Sequence, residues 1–153
     1  MKRRSFLTLT LAAAAPALAQ QPAQTRFQPA QDIGPLVAQL TKGAAIEQGG
    51  IEVQLPQIAE NGNAVPLHIR VASAMTPAEH VKAIHVFAER NPRPRVATFH
   101  LGPDAGRADV MTRVRLGGTQ NVTVLAELSG GRWRVAAQNV LVTTGACLDE
   151  GSL

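Results

Sequence analysis

From Gly49 onward, apolar and polar residues alternate along the chain. Ile51, Val53 and Leu55 are separated by Glu52 and Gln54. After the turn Asn61-Gly62-Asn63, the same rhythm returns in Val65, Leu67, Ile69 and Val71. A period of two sends successive side chains to opposite faces and predicts half-buried strands. Further runs cover about 81–89, 94–101, 108–116, 120–128 and 132–142, and in the last of these Trp133, Val135 and Ala137 face one side. Ser129-Gly130-Gly131 predicts a tight hairpin between the last two runs. Glycine and proline separate most of the others. Seven short strands at this spacing predict an all-β fold, an immunoglobulin-like antiparallel β-sandwich.

Only the stretch before the strands has helical spacing. Leu36, Val37 and Leu40 make one apolar stripe over about 33–41, with Asp32 as a cap, Pro35 in the first turn and Gly43 as a stop. Residues 20–31 (QQPAQTRFQPAQ) are rich in Gln, Pro and Ala and read as a linker. No internal repeat and no second domain is evident, so 32–142 reads as one sandwich with its helix and 143–153 as a tail.

The first residues, MKRRSFLTLTLAAAAPALAQ, alter the charge picture. Lys2, Arg3 and Arg4 form a basic start, an apolar core follows, and Ala17-Leu18-Ala19 is a small-residue cleavage site. The apolar stretch is shorter than the roughly 20 residues a membrane span needs. Arg3-Arg4-Ser5-Phe6-Leu7 fits a twin-arginine export signal, so 1–19 is expected to be removed on passage to the periplasm. The whole chain holds 15 basic and 11 acidic residues. Three of the basic ones lie in the leader, leaving 12 against 11, a net of +1. Such a balance gives nucleic-acid binding little support. Aromatic residues are 3% of the chain, so the core must be built mainly of Val, Leu, Ile and Ala. The remainder of about 134 residues is long enough for one core without disulfides.

Candidate chemistry is sparse. His68, His80, His85 and His100 form no HxH or HExxH pattern, and no second cysteine exists for a thiolate metal site. No nucleophile elbow occurs. No metal and no cofactor is expected. Arg90, Arg93 and Arg95 cluster in ERNPRPR, while Arg113 with Arg115 and Arg132 with Arg134 are spaced to share strand faces. These arginines could attract an anion or an acidic partner, or be ordinary solvated charges. The single cysteine, Cys147, stands out. It lies in VTTGACLDEGSL, past the last predicted strand, among residues with little to bury. A lone thiol in an oxidising compartment points to reactivity or an intermolecular bond rather than packing. Counted from Thr143, four residues of extended chain would give the sulfur a reach of roughly 13–14 Å.

Taken together, several segments resemble the SoxY family, the sulfur-compound carriers of bacterial thiosulfate oxidation. They are I-x-V-x-L-P-x-I-A-E-N-G-x-x-V-P over 51–66, E-R-N-P-R-P-R-V-A-T-F over 89–99, T-R-V-R-L over 112–116, and the V-T-T-G-A-C ending. The resemblance implies a sandwich that pairs with a second sandwich subunit, SoxZ. It implies that sulfur is held covalently on Cys147, with Gly145 and Ala146 as part of the carrier arm. It further implies transient contacts with a SoxXA-like cytochrome that conjugates thiosulfate and a SoxB-like hydrolase that releases sulfate. Sulfur oxyanions are the cargo, and the carrier is not itself an enzyme. The family's tail reads G-G-C-G-G, whereas Ala146, Leu148 and Asp149 stand here at glycine positions. Those residues restrict the backbone, and Asp149 and Glu150 are expected to raise the thiol pKa. A sandwich that binds a partner without carrying cargo is the alternative reading.

Overall fold

The computed structural model describes residues 29–146. The leader 1–19, most of the linker and Cys147 lie outside the described residues. Two sheets face each other. One helix, α1 (Gly34–Thr41), is followed by β1 (Ile46–Gln48), β2 (Ile51–Gln54), β3 (Ile58–Asn61), β4 (Val65–Val71), β5 (Val81–Ala88), β6 (Arg95–His100), β7 (Ala108–Val114), β8 (Gln120–Leu128) and β9 (Trp133–Thr144). The larger sheet runs β1-β9-β8-β5-β6, with β3 also paired to β9, and the smaller runs β2-β4-β7. The predicted β-sandwich is therefore the observed one.

The core lies between the sheets. Val65, Leu67, Ile69 and Val71 on β4 pack toward Ile84, Val86 and Ala88 on β5 and Val122, Val124, Ala126 and Leu128 on β8. Each such aliphatic side chain contributes about 1.5–3 kcal/mol when fully buried. β5 and β8 are the central strands, and they are buried on both faces. Their outer face is covered by α1, where Phe87, Leu125 and Trp133 meet Ile33, Leu36, Val37 and Leu40. The apolar stripe of the helix explains why β5 and β8 read as nearly continuous apolar runs. His85 sits in the same layer. Its ring stacks on Trp133 at 6.0 Å and its Nδ1 is 3.1 Å from the Thr98 hydroxyl.

Three local details differ from the sequence reading. Asp32 does not occupy the cap position of α1. Ile33 does, and Asp32 Oδ1 accepts from the Gly34 N–H at 2.8 Å. The helix stops at Lys42, which is left-handed (φ 52°), and Gly43 follows at φ 78°. The expected turn at Asn61-Gly62-Asn63 is present as a 3-10 turn, Gly62–Ala64, with Asn61 Oδ1 accepting from the Asn63 N–H. Finally, β1 and β3 add to the expected strands, and both run parallel to β9.

Candidate functional site

The carboxy-terminal end of β9 does not simply run out into solvent. β9 extends through Thr144, beyond the expected limit at 142, because β3 pairs with it: Ile58 opposite Leu141, Ala59 opposite Val142, Asn61 opposite Thr144. Side chains reinforce the pairing. The Thr143 hydroxyl donates to the Glu60 carbonyl at 2.9 Å, and the Val142 N–H donates to Thr119 Oγ1 at 2.9 Å. Beyond the strand, the Ala146 N–H donates to the Leu116 carbonyl at 2.9 Å, and the Leu116 N–H donates to the Gly62 carbonyl at 2.8 Å.

Two glycines make this crossing possible. A Cβ on Gly145 would lie 2.6 Å from the Gly117 carbonyl oxygen, and one on Gly62 would collide with the Leu116 carbonyl oxygen and the Ala146 nitrogen. Both neighbours are backbone, which cannot swing aside. Gly145 is thus required for close approach of two chain segments rather than for arm flexibility. Ala146, expected in a loose tail, is 9% exposed. The extended reach counted from Thr143 is therefore shortened, because Thr143, Thr144 and Ala146 are held.

A pair of buried amides underlies the crossing. Asn91 and Gln120 are 5% and 3% exposed. Asn91 Nδ2 donates to the Arg115 carbonyl at 2.8 Å, and Asn91 Oδ1 accepts from the Gly117 N–H at 3.0 Å. Gln120 Nε2 donates to Asn91 Oδ1 at 3.2 Å and to the Gly118 carbonyl at 3.1 Å, while its Oε1 accepts from the Arg90 N–H at 2.7 Å. The two side chains tie the 89–94 loop to the 115–118 loop, and the latter holds Ala146. Neither residue is marked out in the sequence. The only hint is an amide at the turn Asn91-Pro92 and another opening an apolar strand.

The histidines are not brought together. His68 bonds Gln54 Oε1 at 3.2 Å and Asp109 Oδ1 at 2.6 Å on the outer face of the small sheet. That contact, with Arg70 beside it, holds the Asp109 carboxyl below its ordinary range. His80 caps a loop through the Thr76 carbonyl. Burial pushes the His85 pKa down, against the pull of Glu127, and Arg95 and His100 add to the lowering. Among the described residues, no group of three or more His, Cys, Asp or Glu could hold a metal ion. Arg132 pairs with Glu79 at 3.4 Å and Arg134 with Glu47 at 3.8 Å. Arg93 and Arg95, by contrast, line a cleft beside α1.

Gly145 and Ala146 therefore form the root of the tail, and Cys147, the next residue, lies outside the described residues. The model of the family "Sulfur oxidation protein SoxY" matches residues 37–147. The chain belongs to the SoxY family. The SoxY match begins within α1 and ends on Cys147. Among solved structures, the sulfur carrier protein SoxY from Chlorobium limicola f thiosulfatophilum is similar at a TM-score of 0.59 and 29% identity, covering 71% of this chain and 94% of that one. Superoxide reductase (neelaredoxin) from Ignicoccus hospitalis is similar at a TM-score of 0.55 and 14% identity, covering 67% and 89%. A putative superoxide reductase from Thermotoga maritima is similar at 0.51 and 16%, covering 80% and 98%. At such identities these reductases share with this SoxY-family chain the sandwich fold alone. Comparison with curated proteins gives no match.

Proposed function

We propose that this chain carries sulfur covalently on Cys147 during thiosulfate oxidation. The observation that carries the reading is a family match that runs through the sandwich and ends on that cysteine. The geometry of the tail root supports it. A carrier needs a rigid body and a thiol placed just beyond it, and Ala146, the residue before the cysteine, is held by its bond to Leu116.

In this cycle the Cys147 thiol and thiosulfate form an S–S bond, losing one proton and two electrons to a haem partner. Water then cleaves the terminal S–S bond of the conjugate. Sulfate leaves with two protons, and a persulfide stays on the cysteine. The chain's own residues do no catalysis in either step; they hold the thiol at one end of the sandwich. The Arg3-Arg4-Ser5-Phe6-Leu7 leader supports a periplasmic setting reached by twin-arginine export. Among the described residues, no helix is long and apolar enough to cross a membrane. A second sandwich subunit of the SoxZ kind would complete the carrier. On this chain it would find exposed apolar surface at the register partners Ile58 and Leu141, which are 60% and 46% exposed.

Intact-mass measurement on protein from thiosulfate-grown cells tests the reading. A sulfur-containing adduct is expected on Cys147 and is lost in Cys147→Ser, together with thiosulfate oxidation. An unmodified thiol under turnover, with oxidation unchanged in Cys147→Ser, would overturn it.

A further inference from the structure

The cleft beside α1 has a composition that no feature of the core requires. Leu36, Leu40 and Phe87 form its apolar side, and Pro94, Arg93 and Arg95 form the other. Its arginine wall is held in place. The Ala88 N–H donates to the Pro94 carbonyl at 2.8 Å, and the Gln31 side chain donates to the Asn91 carbonyl at 2.7 Å. Several acids elsewhere are matched with cations: Glu127 with Lys82, Glu79 with Arg132, Asp109 with Arg70. Among the described residues, Arg93 and Arg95 have no acidic partner within ion-pair distance. Glu89, the one carboxylate of that loop, accepts from Asn121 at 3.4 Å.

The same loop stands next to the root of the tail. Asn91 is bonded to the Arg115 carbonyl, and the following residue, Leu116, receives the Ala146 N–H. From Ala146 to Arg93 is thus a path of two hydrogen bonds and a few residues. Seven residues, 147–153, follow Ala146 in the sequence. Extended, they could span at most about 23–25 Å. Their order, Cys-Leu-Asp-Glu-Gly-Ser-Leu, places two acids between two leucines. An apolar cleft with two unmatched arginines complements that order in both charge and hydropathy.

We propose that the cleft between α1 and the Arg93–Arg95 wall is a docking site for this chain's own segment 148–153. Asp149 and Glu150 pair with Arg93 and Arg95, and the leucines reach the apolar side. The docking deepens the carrier reading, because it sets whether the thiol of Cys147 is held against the sandwich or presented to a partner. It also gives the two acids, which would otherwise repel an anionic cargo, a place away from the sulfur. Exposed ion pairs of this kind are weak, typically under about 1 kcal/mol each, so the segment is held reversibly and is released by salt.

Paramagnetic broadening tests this without any sulfur compound, so its failure is distinct from failure of the carrier reading. A nitroxide is placed at position 152 by Ser152→Cys in a Cys147→Ser background of the full chain. Broadening of the Leu36, Leu40, Arg93 and Arg95 amide signals is expected at low salt. It should be lost with Asp149→Lys/Glu150→Lys and with Arg93→Glu/Arg95→Glu, and regained when all four changes are combined. Sharp signals in the starting chain would overturn the proposal. Broadening indifferent to charge reversal would do the same. So would broadening seen only between labelled and unlabelled copies, which would assign the cleft to a second molecule.

Discussion

Gln120 Nε2 donates to Asn91 Oδ1 at 3.2 Å, and both residues are buried. Through this contact, two loops 24 to 30 residues apart are locked beneath Ala146 at the root of the tail. The pair has no chemistry of its own. Its place in the molecule is to decide where the chain leaves the sandwich.

Replacing Asn91 by leucine keeps the volume and removes the polar contacts. The Arg115 carbonyl, the Gly117 N–H and Gln120 then lose partners in a buried setting. Leaving buried groups unsatisfied costs about 1–3 kcal/mol each, so Asn91→Leu is expected to lose about 2–4 kcal/mol in urea unfolding. Hydrogen exchange at the Ala146 amide should accelerate more than exchange in β4. Unchanged protection at Ala146 would show that the root is held without the amide pair.

Gly145→Ala tests the close approach. The added methyl meets backbone 2.6 Å away, so the tail must lift or the 115–118 loop must shift. Overpacking of this kind costs about 1–3 kcal/mol. Gly145→Ala should therefore lower the melting temperature, and the Ala146–Leu116 bond should be lost in exchange measurements. If Gly145 served only as a flexible joint, stability would not change.

His85 gives the fold a pH dependence with a defined sign. Burial lowers its pKa below the ordinary 6.5, so the folded protein keeps the ring neutral while the unfolded chain takes up a proton. The contribution of His85 is complete above about pH 6.5 and is lost as pH falls below that value toward the folded pKa. His85→Leu removes the titration and also the Nε2 that has no hydrogen-bond partner. Between about pH 7.5 and 5.5, wild type should lose more unfolding free energy than His85→Leu. Asp109, whose pKa is also lowered, acts in the same direction only below the ordinary carboxylate value of 3.8, so the two windows separate.

The architecture was legible because alternation is a direct image of sheet geometry. β4, with Val65, Leu67, Ile69 and Val71 inward, is the clearest case. β1 and β3 were not legible. All three residues of β1 are exposed, and only Ala59 of β3 is buried, so neither leaves a two-residue rhythm. They exist because β9 offers a free edge on that side. Gly145 and Ala146 look like loose, small residues, yet their contacts are to Leu116 and Gly117, some 30 positions away. Asn91 and Gln120 carry no sequence signal for the same reason, because what makes them matter is backbone that folds in from elsewhere.

β9 is twelve residues long, lies against β8 along most of its length, and takes β3 as a second partner at its far end. A load on the end of the chain that reaches this strand along its axis meets those pairings. Interstrand hydrogen bonds lie across that axis, so such a load is shared among many bonds at once instead of opening them one after another. The sandwich is built to resist shear at the point where its tail departs. An enzyme could draw that tail into a narrow channel, and release it, without unravelling the domain to which it is attached.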